Sequence, residues 1–120
     1  MMMIKFYGYK KCDTSRKGEK ALQDLGVEYE FIDVTLTPPS KTTLKKIIKQ
    51  SGEDTKKFFN TSGIVYKELK MKDKLPSMSE NEIIDTLSEN GKLIKRPIVT
   101  DGEKATVGFQ PETFKHTWSS

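Results

Sequence analysis

The chain has 120 residues, 34% hydrophobic and 32% charged, with one cysteine, one histidine and a net charge of +4. That length fits one domain of the usual size, about 100–150 residues. Its apolar runs fall far short of the roughly 20 residues that cross a bilayer, and a lone cysteine excludes both an internal disulfide and a cysteine–histidine zinc site.

Residues 2 to 7 form a short apolar and aromatic run ending at Gly8, which predicts a buried first strand. Ahead of it there is no basic segment followed by an apolar one and a cleavage site, so a cytoplasmic protein is expected. A loop through Cys12 and Asp13 leads into a predicted helix at 14 to 25, with Ala21, Leu22 and Leu25 on one face and Gly26 as its stop. Residues 27 to 34 largely alternate and are rich in β-branched and aromatic side chains, which predicts a second strand. Strand, helix and strand make a βαβ unit, whose right-handed crossover sets the two strands parallel.

Pro38-Pro39-Ser40 breaks the pattern, and Ser40 is placed to cap a helix at 41 to 50 with Leu44, Ile47 and Ile48 as its apolar stripe, ended by Gly52. A helical turn at 55 to 60 around Phe58 and Phe59 and a short helix at 65 to 71 are expected next. Ser79-Glu80-Asn81-Glu82 has capping-box spacing and opens a helix at 80 to 90, with Ile83, Ile84 and Leu87 inward and Gly91 closing the helical block. Residues 97 to 100 and 104 to 109 flank Asp101-Gly102, a strong hairpin signal. A last helix from about residue 112, after Pro111, brings Phe114 and Trp118 one turn apart. The order predicts an α/β fold in one domain: a βαβ and ββα core from residues 1–37 and 92–120, interrupted by a helical insertion at 38–91.

Charge is unevenly spread. Residues 1 to 37 balance six basic groups with six acidic ones, residues 41 to 74 hold ten lysines against four acids, and residues 75 to 91 return four acids. The lysines are dispersed over several predicted helices with no arginine among them, so they are read as a solvated face and direct nucleic-acid binding is not expected.

The chemistry converges on Cys12. A thiolate at a helix N-terminus gains from the helix dipole and the first N–H groups, which lower cysteine pKa values from about 8.5 to roughly 3.5–7.5. Lys10, Lys11 and Arg16 add positive charge close in sequence. Cys12-Asp13-Thr14-Ser15 has the spacing of a redox C-x-x-C, but serine cannot close a disulfide, so any redox cycle needs an outside thiol. Ser15 is either a donor to the thiolate or an ordinary first-turn residue. Arg96, just before Pro97, is placed to reach an anion held at the helix terminus, where a guanidinium suits an oxyanion better than a lysine does. His116, near the end of the chain, is read as a surface imidazole rather than a general base.

Three segments carry a resemblance: residues 6 to 17 around Lys11-Cys12-Asp13-Thr14-Ser15, residues 58 to 69 from Phe58-Phe59-Asn60, and residues 93 to 99 around Arg96-Pro97. Together they resemble the ArsC/Spx family, which comprises glutaredoxin-linked arsenate reductases and Spx/MgsR-type regulators. The resemblance implies a thioredoxin-like fold with a helical insertion, Cys12 as nucleophile, Pro97 as a cis-proline beside it, and Thr14, Ser15, Arg16 and Asn60 as supporting residues. It implies no bound cofactor or metal. The reductant would be an external thiol, either a glutathione-like low-molecular-weight thiol or a redoxin. Of the three arginines that the family's arsenate reductases place around the oxyanion, Arg96 matches one, while Asn60 and Phe109 occupy the places of the other two, which should weaken oxyanion binding greatly. A monomeric monothiol oxidoreductase is therefore expected. The alternative is an Spx-like regulator that docks on the RNA polymerase alpha subunit with Cys12 as a redox sensor.

Overall fold

A computed structural model describes residues 3 to 119, so the predicted start of the first strand at Met2 lies outside the described residues. Strand β1 (Ile4–Gly8) runs parallel to β2 (Tyr29–Asp33), with Ile4 opposite Tyr29 and Gly8 opposite Asp33, and helix α1 (Asp13–Asp24) is the crossover between them. Strand β3 (Ile98–Thr100) lies antiparallel on the other side of β1, and β4 (Ala105–Val107) is antiparallel to β3, giving the sheet order β2-β1-β3-β4. This is the α/β order that the sequence predicts and the thioredoxin-like arrangement that the resemblance implies.

Side chains of a strand alternate between the two faces of its sheet. Phe6 of β1 and Val99 of β3 project to one face, where they pack with Leu22 of α1 and with Phe114 and Trp118 of helix α6 (Pro111–Trp118). Tyr7 and Ile98 project to the opposite face. There they meet the buried side chains of α2 (Lys41–Ser51) and α5 (Glu80–Glu89), among them Leu44, Ile47, Ile83 and Leu87. The central strands are thus covered on both faces, which explains why β1 is an apolar run and not a simple alternation.

Helix ends follow their capping chemistry. Ser40 Oγ accepts the Thr43 N–H at 3.2 Å. At α5 the Ser79 hydroxyl accepts the Glu82 N–H at 3.2 Å while Glu82 Oε1 accepts the Ser79 N–H at 3.0 Å, the reciprocal box that the spacing predicts.

Two local expectations are corrected. The helix predicted at 65 to 71 is two short ones, α3 (Ile64–Glu68) and α4 (Met71–Lys74), separated by Lys70 at φ 54°. On one continuous helix Val65 and Met71 would point about 120° apart, and the break lets both reach the same core. Gly91 does not end α5: Asn90 does, and Gly91 opens a 3₁₀ turn, Gly91–Leu93. Its role is close approach, since a β-carbon there would lie 1.8 Å from the Val34 carbonyl oxygen.

Candidate functional site

Strand β1 ends at Gly8, and a tight turn closed by the Cys12 N–H on the Tyr9 carbonyl at 2.9 Å delivers the chain to α1. Cys12 is the N-cap residue, in extended conformation, and its carbonyl accepts the Arg16 N–H at 3.0 Å, the first hydrogen bond of the helix. The thiol is partly exposed and makes no ordinary capping bond. Burial pushes its pKa up, but the Ser15 N–H, the Arg96 guanidinium, the Ser15 hydroxyl and the Thr14 N–H all favour the thiolate, and together they hold the thiol below its ordinary value.

Ser15 points away from solvent. It is fully buried in the first turn of α1, and its oxygen accepts the Tyr9 N–H at 3.1 Å. Because that bond occupies a lone pair, the hydroxyl proton remains available to the sulfur.

Arg96 is held from two sides. Upstream, Phe59 and Ile94 form an antiparallel bridge, with the Asn60 N–H on the Leu93 carbonyl and the Lys95 N–H on the Phe58 carbonyl, both at 2.7 Å. Downstream, the Arg96–Pro97 peptide is cis and Pro97 is buried against α1. The guanidinium carbon lies 5.0 Å from the centre of the Tyr9 ring, and Nε is buried without a hydrogen-bond partner. The thiol and this arginine share an open cleft of about 1140 Å³, walled on one side by the loop before α1 and on the other by Asp54 to Glu68. Its lining carries Lys11, Lys56, Lys57, Lys92, Lys95 and Arg96 against only Asp54 and Glu68.

Residues 7–117 match the ArsC family. The chain belongs to that family. It is 50% identical to the uncharacterized protein YusI of Bacillus subtilis over 98% of this chain and 100% of the relative. It is 33% identical to an arsenate reductase of Haemophilus influenzae, over 93% of this chain and 96% of that one, and 28% identical to the regulatory protein MgsR of Bacillus subtilis, over 90% and 84%. The crystal structure of an ArsC-family-related protein from Bacteroides fragilis superposes with a TM-score of 0.92 at 44% identity, covering 96% of this chain and 97% of that one.

Within this ArsC-family frame, Cys12, Thr14, Asn60 and Arg96 all line the cleft, and Pro97 lies behind it against Gly18. Asn60 accepts the Ser62 hydroxyl at 3.3 Å. Arg16 is turned away: it pairs with Asp13 on the exposed side of α1 and does not line the cleft. Lys10 is likewise engaged elsewhere, with Glu19. Phe109 packs edge-on against Phe114 at 5.1 Å between ring centres. His116 is exposed on α6. Among the described residues no group of three or more His, Cys, Asp or Glu side chains is placed to hold a metal ion.

Sequence reasoning missed Tyr9 as the ring beneath Arg96 and did not place any lysine of the insertion at the cleft. The signal was Lys56-Lys57 set directly before Phe58-Phe59: both phenylalanines are buried, which pins the two lysines at the cleft wall.

Proposed function

We propose that the protein is a monothiol oxidoreductase in which the Cys12 thiolate attacks an oxidised sulfur. The observation that carries this reading is a thiol held below its ordinary pKa by helix N–H groups and Arg96, at the mouth of an open cleft. In the first step Cys12 Sγ forms a bond to one sulfur of a disulfide, the old S–S bond breaks, and the departing thiolate keeps its electron pair. In the second, an external thiolate attacks the mixed disulfide, restores the Cys12 thiolate, and is itself oxidised once a second external thiol displaces the substrate-derived sulfur as a thiol. Ser15 cannot resolve the mixed disulfide internally, so the reductant is a low-molecular-weight thiol or a redoxin. Arg96 orients the anionic group of the substrate. Arsenate is the weaker substrate, because Asn60 and Phe109 supply no guanidinium.

The test is the pH dependence of Cys12 alkylation, followed by turnover of arsenate and of a mixed disulfide with Cys12→Ser as control. Half-maximal alkylation at a lower pH in the folded protein than in the urea-unfolded chain, and mixed-disulfide turnover lost in the variant, are expected. A thiol that titrates at the ordinary value and turns over neither substrate removes the reading.

A second reading rests on the regulator MgsR among the relatives. In it the protein docks on the RNA polymerase alpha subunit and Cys12 is the sensor. Retention of polymerase subunits by the wild-type protein, lost when the lysines between Lys41 and Lys57 are reversed in charge, would support it, and no retention removes it.

A further inference from the structure

The cleft is built for something larger than a tetrahedral oxyanion. At about 1140 Å³ it exceeds the roughly 300–1,000 Å³ of most small-molecule sites, and it is open to solvent. Its charge is one-sided. Lys57 is paired with Glu53 at 2.9 Å, but Lys11, Lys56, Lys92, Lys95 and Arg96 have no carboxylate partner among the described residues. Its lining also holds an apolar side chain in water: Ile64, with 75% of its surface exposed. An unbalanced set of cations along a cleft, with an exposed aliphatic side chain among them, suits a surface that a partner of opposite charge covers.

We infer that the cleft receives an acidic, partly apolar peptide segment of a protein substrate, which presents its oxidised cysteine sulfur to Cys12. The inference rests on the thiol-exchange reading for its chemistry, and the bond changes are those of the two steps above, with the external thiol as reductant. A carboxylate-bearing segment complements the free lysines, and an apolar side chain of it covers Ile64. A nucleic acid fits less well: binding of single strands relies on aromatic platforms for the bases, and here Tyr9 is covered by Arg96 while Phe59 is buried.

Docking can be read apart from thiol chemistry. Two labelled decapeptides, one with Asp and Glu around a central Leu-Ser-Leu and one with Lys in place of every acid, are titrated into the wild-type protein and followed by anisotropy. The acidic peptide is expected to bind at least tenfold more tightly at low salt, and to lose that advantage as the salt is raised towards 1 M, where charges are screened beyond about 3 Å. Lys56→Glu combined with Lys92→Glu should erase the preference, and Ile64→Ala should weaken the acidic peptide several-fold; circular dichroism confirms that each variant is folded. Equal binding of the two peptides, binding indifferent to the lysine reversal, or displacement by a single-stranded oligonucleotide at lower concentration than by the acidic peptide overturns the inference. Exchange of Cys12 with neutral 2-hydroxyethyl disulfide is run in parallel. Its failure removes the oxidoreductase reading, whereas failure of the peptide arm alone removes only this assignment.

Discussion

Gly18 lies directly against Pro97: a β-carbon on it would sit 3.0 Å from the proline Cγ and 3.2 Å from two atoms of the Phe6 ring. Glycine inside a helix costs roughly 0.5–1 kcal/mol relative to alanine, and here it lets α1 rest on the ring that follows Arg96. That contact sets how near the N-terminus of α1, with Cys12, comes to the guanidinium. Gly18→Leu should therefore lower stability by about 1–3 kcal/mol through overpacking and raise the Cys12 pKa as Arg96 draws away. Urea unfolding and the pH profile of alkylation measure the two effects together. A variant that loses stability but keeps the wild-type thiol profile would show that the contact does not position the site.

Ser15→Ala removes two interactions at once. The Tyr9 N–H loses its acceptor, and the Cys12 thiolate loses a hydroxyl donor. An unsatisfied buried donor costs about 1–3 kcal/mol, so stability should fall by that order. The thiol pKa should move up and alkylation at pH 7 should slow.

The same thiol sets a pH dependence of folding. The Cys12 pKa in the folded protein lies below its value in the unfolded chain, so the unfolded chain binds more protons between the two values. The stabilisation is fully present above the unfolded thiol pKa and is lost as the pH falls through the folded value. Unfolding measured across this window should show wild-type stability rising with pH relative to Cys12→Ser. A constant difference between the two proteins would mean that the thiol is unshifted.

How much of this was legible depended on how local each cause is. The βαβ unit, the hairpin at Asp101-Gly102 and the capping box at Ser79 are written in neighbouring residues, and the structure has all three. Cys12 could be placed at a helix start for the same reason. Gly91 could not be read: it looks like a helix stop, yet its role is set by Val34, far away in the chain. Arg16 misled for a related reason. Sequence proximity put it beside the thiol, but one turn into α1 it faces Asp13 and solvent. The cleft itself is assembled from the helical block and from the segments on both sides of it, and no single stretch carries its pattern.

Gly91 supplies a sharp stability prediction. An added methyl would overlap the Val34 carbonyl oxygen, and the obstacle is backbone, so no side-chain rotation relieves it. Gly91→Ala should cost about 3 kcal/mol, the upper part of the range for overpacking, with a matching drop in thermal midpoint. An unchanged midpoint would mean that the 3₁₀ turn and the segment after β2 separate freely.

The last prediction concerns a polar cluster that the sequence did not announce. Glu19 is 7% exposed, and its carboxylate accepts Lys10 Nζ at 3.0 and 3.1 Å and the Tyr29 hydroxyl at 2.7 Å, while Gln23 Nε2 donates to that hydroxyl at 3.0 Å. Lys10 also stands 4.1 Å above the Phe31 ring. The cluster ties the loop before Cys12 to α1 and β2, so it braces the turn that presents the thiol. The Tyr29 phenol is held above 10.0 by burial first, then by the hydrogen bond to Glu19 and its charge, against the opposing donor Gln23. Glu19→Gln removes that charge. The Tyr29 pKa should then fall back towards 10.0 in an ultraviolet titration referenced to Tyr29→Phe, and stability at neutral pH should drop by about 1–2 kcal/mol. Because the phenol pKa is raised in the folded state, its contribution is present below pH 10.0 and is lost as the pH rises through the folded value. Wild type should therefore weaken more steeply than Glu19→Gln at alkaline pH, and parallel curves would show that Glu19 does not govern this phenol.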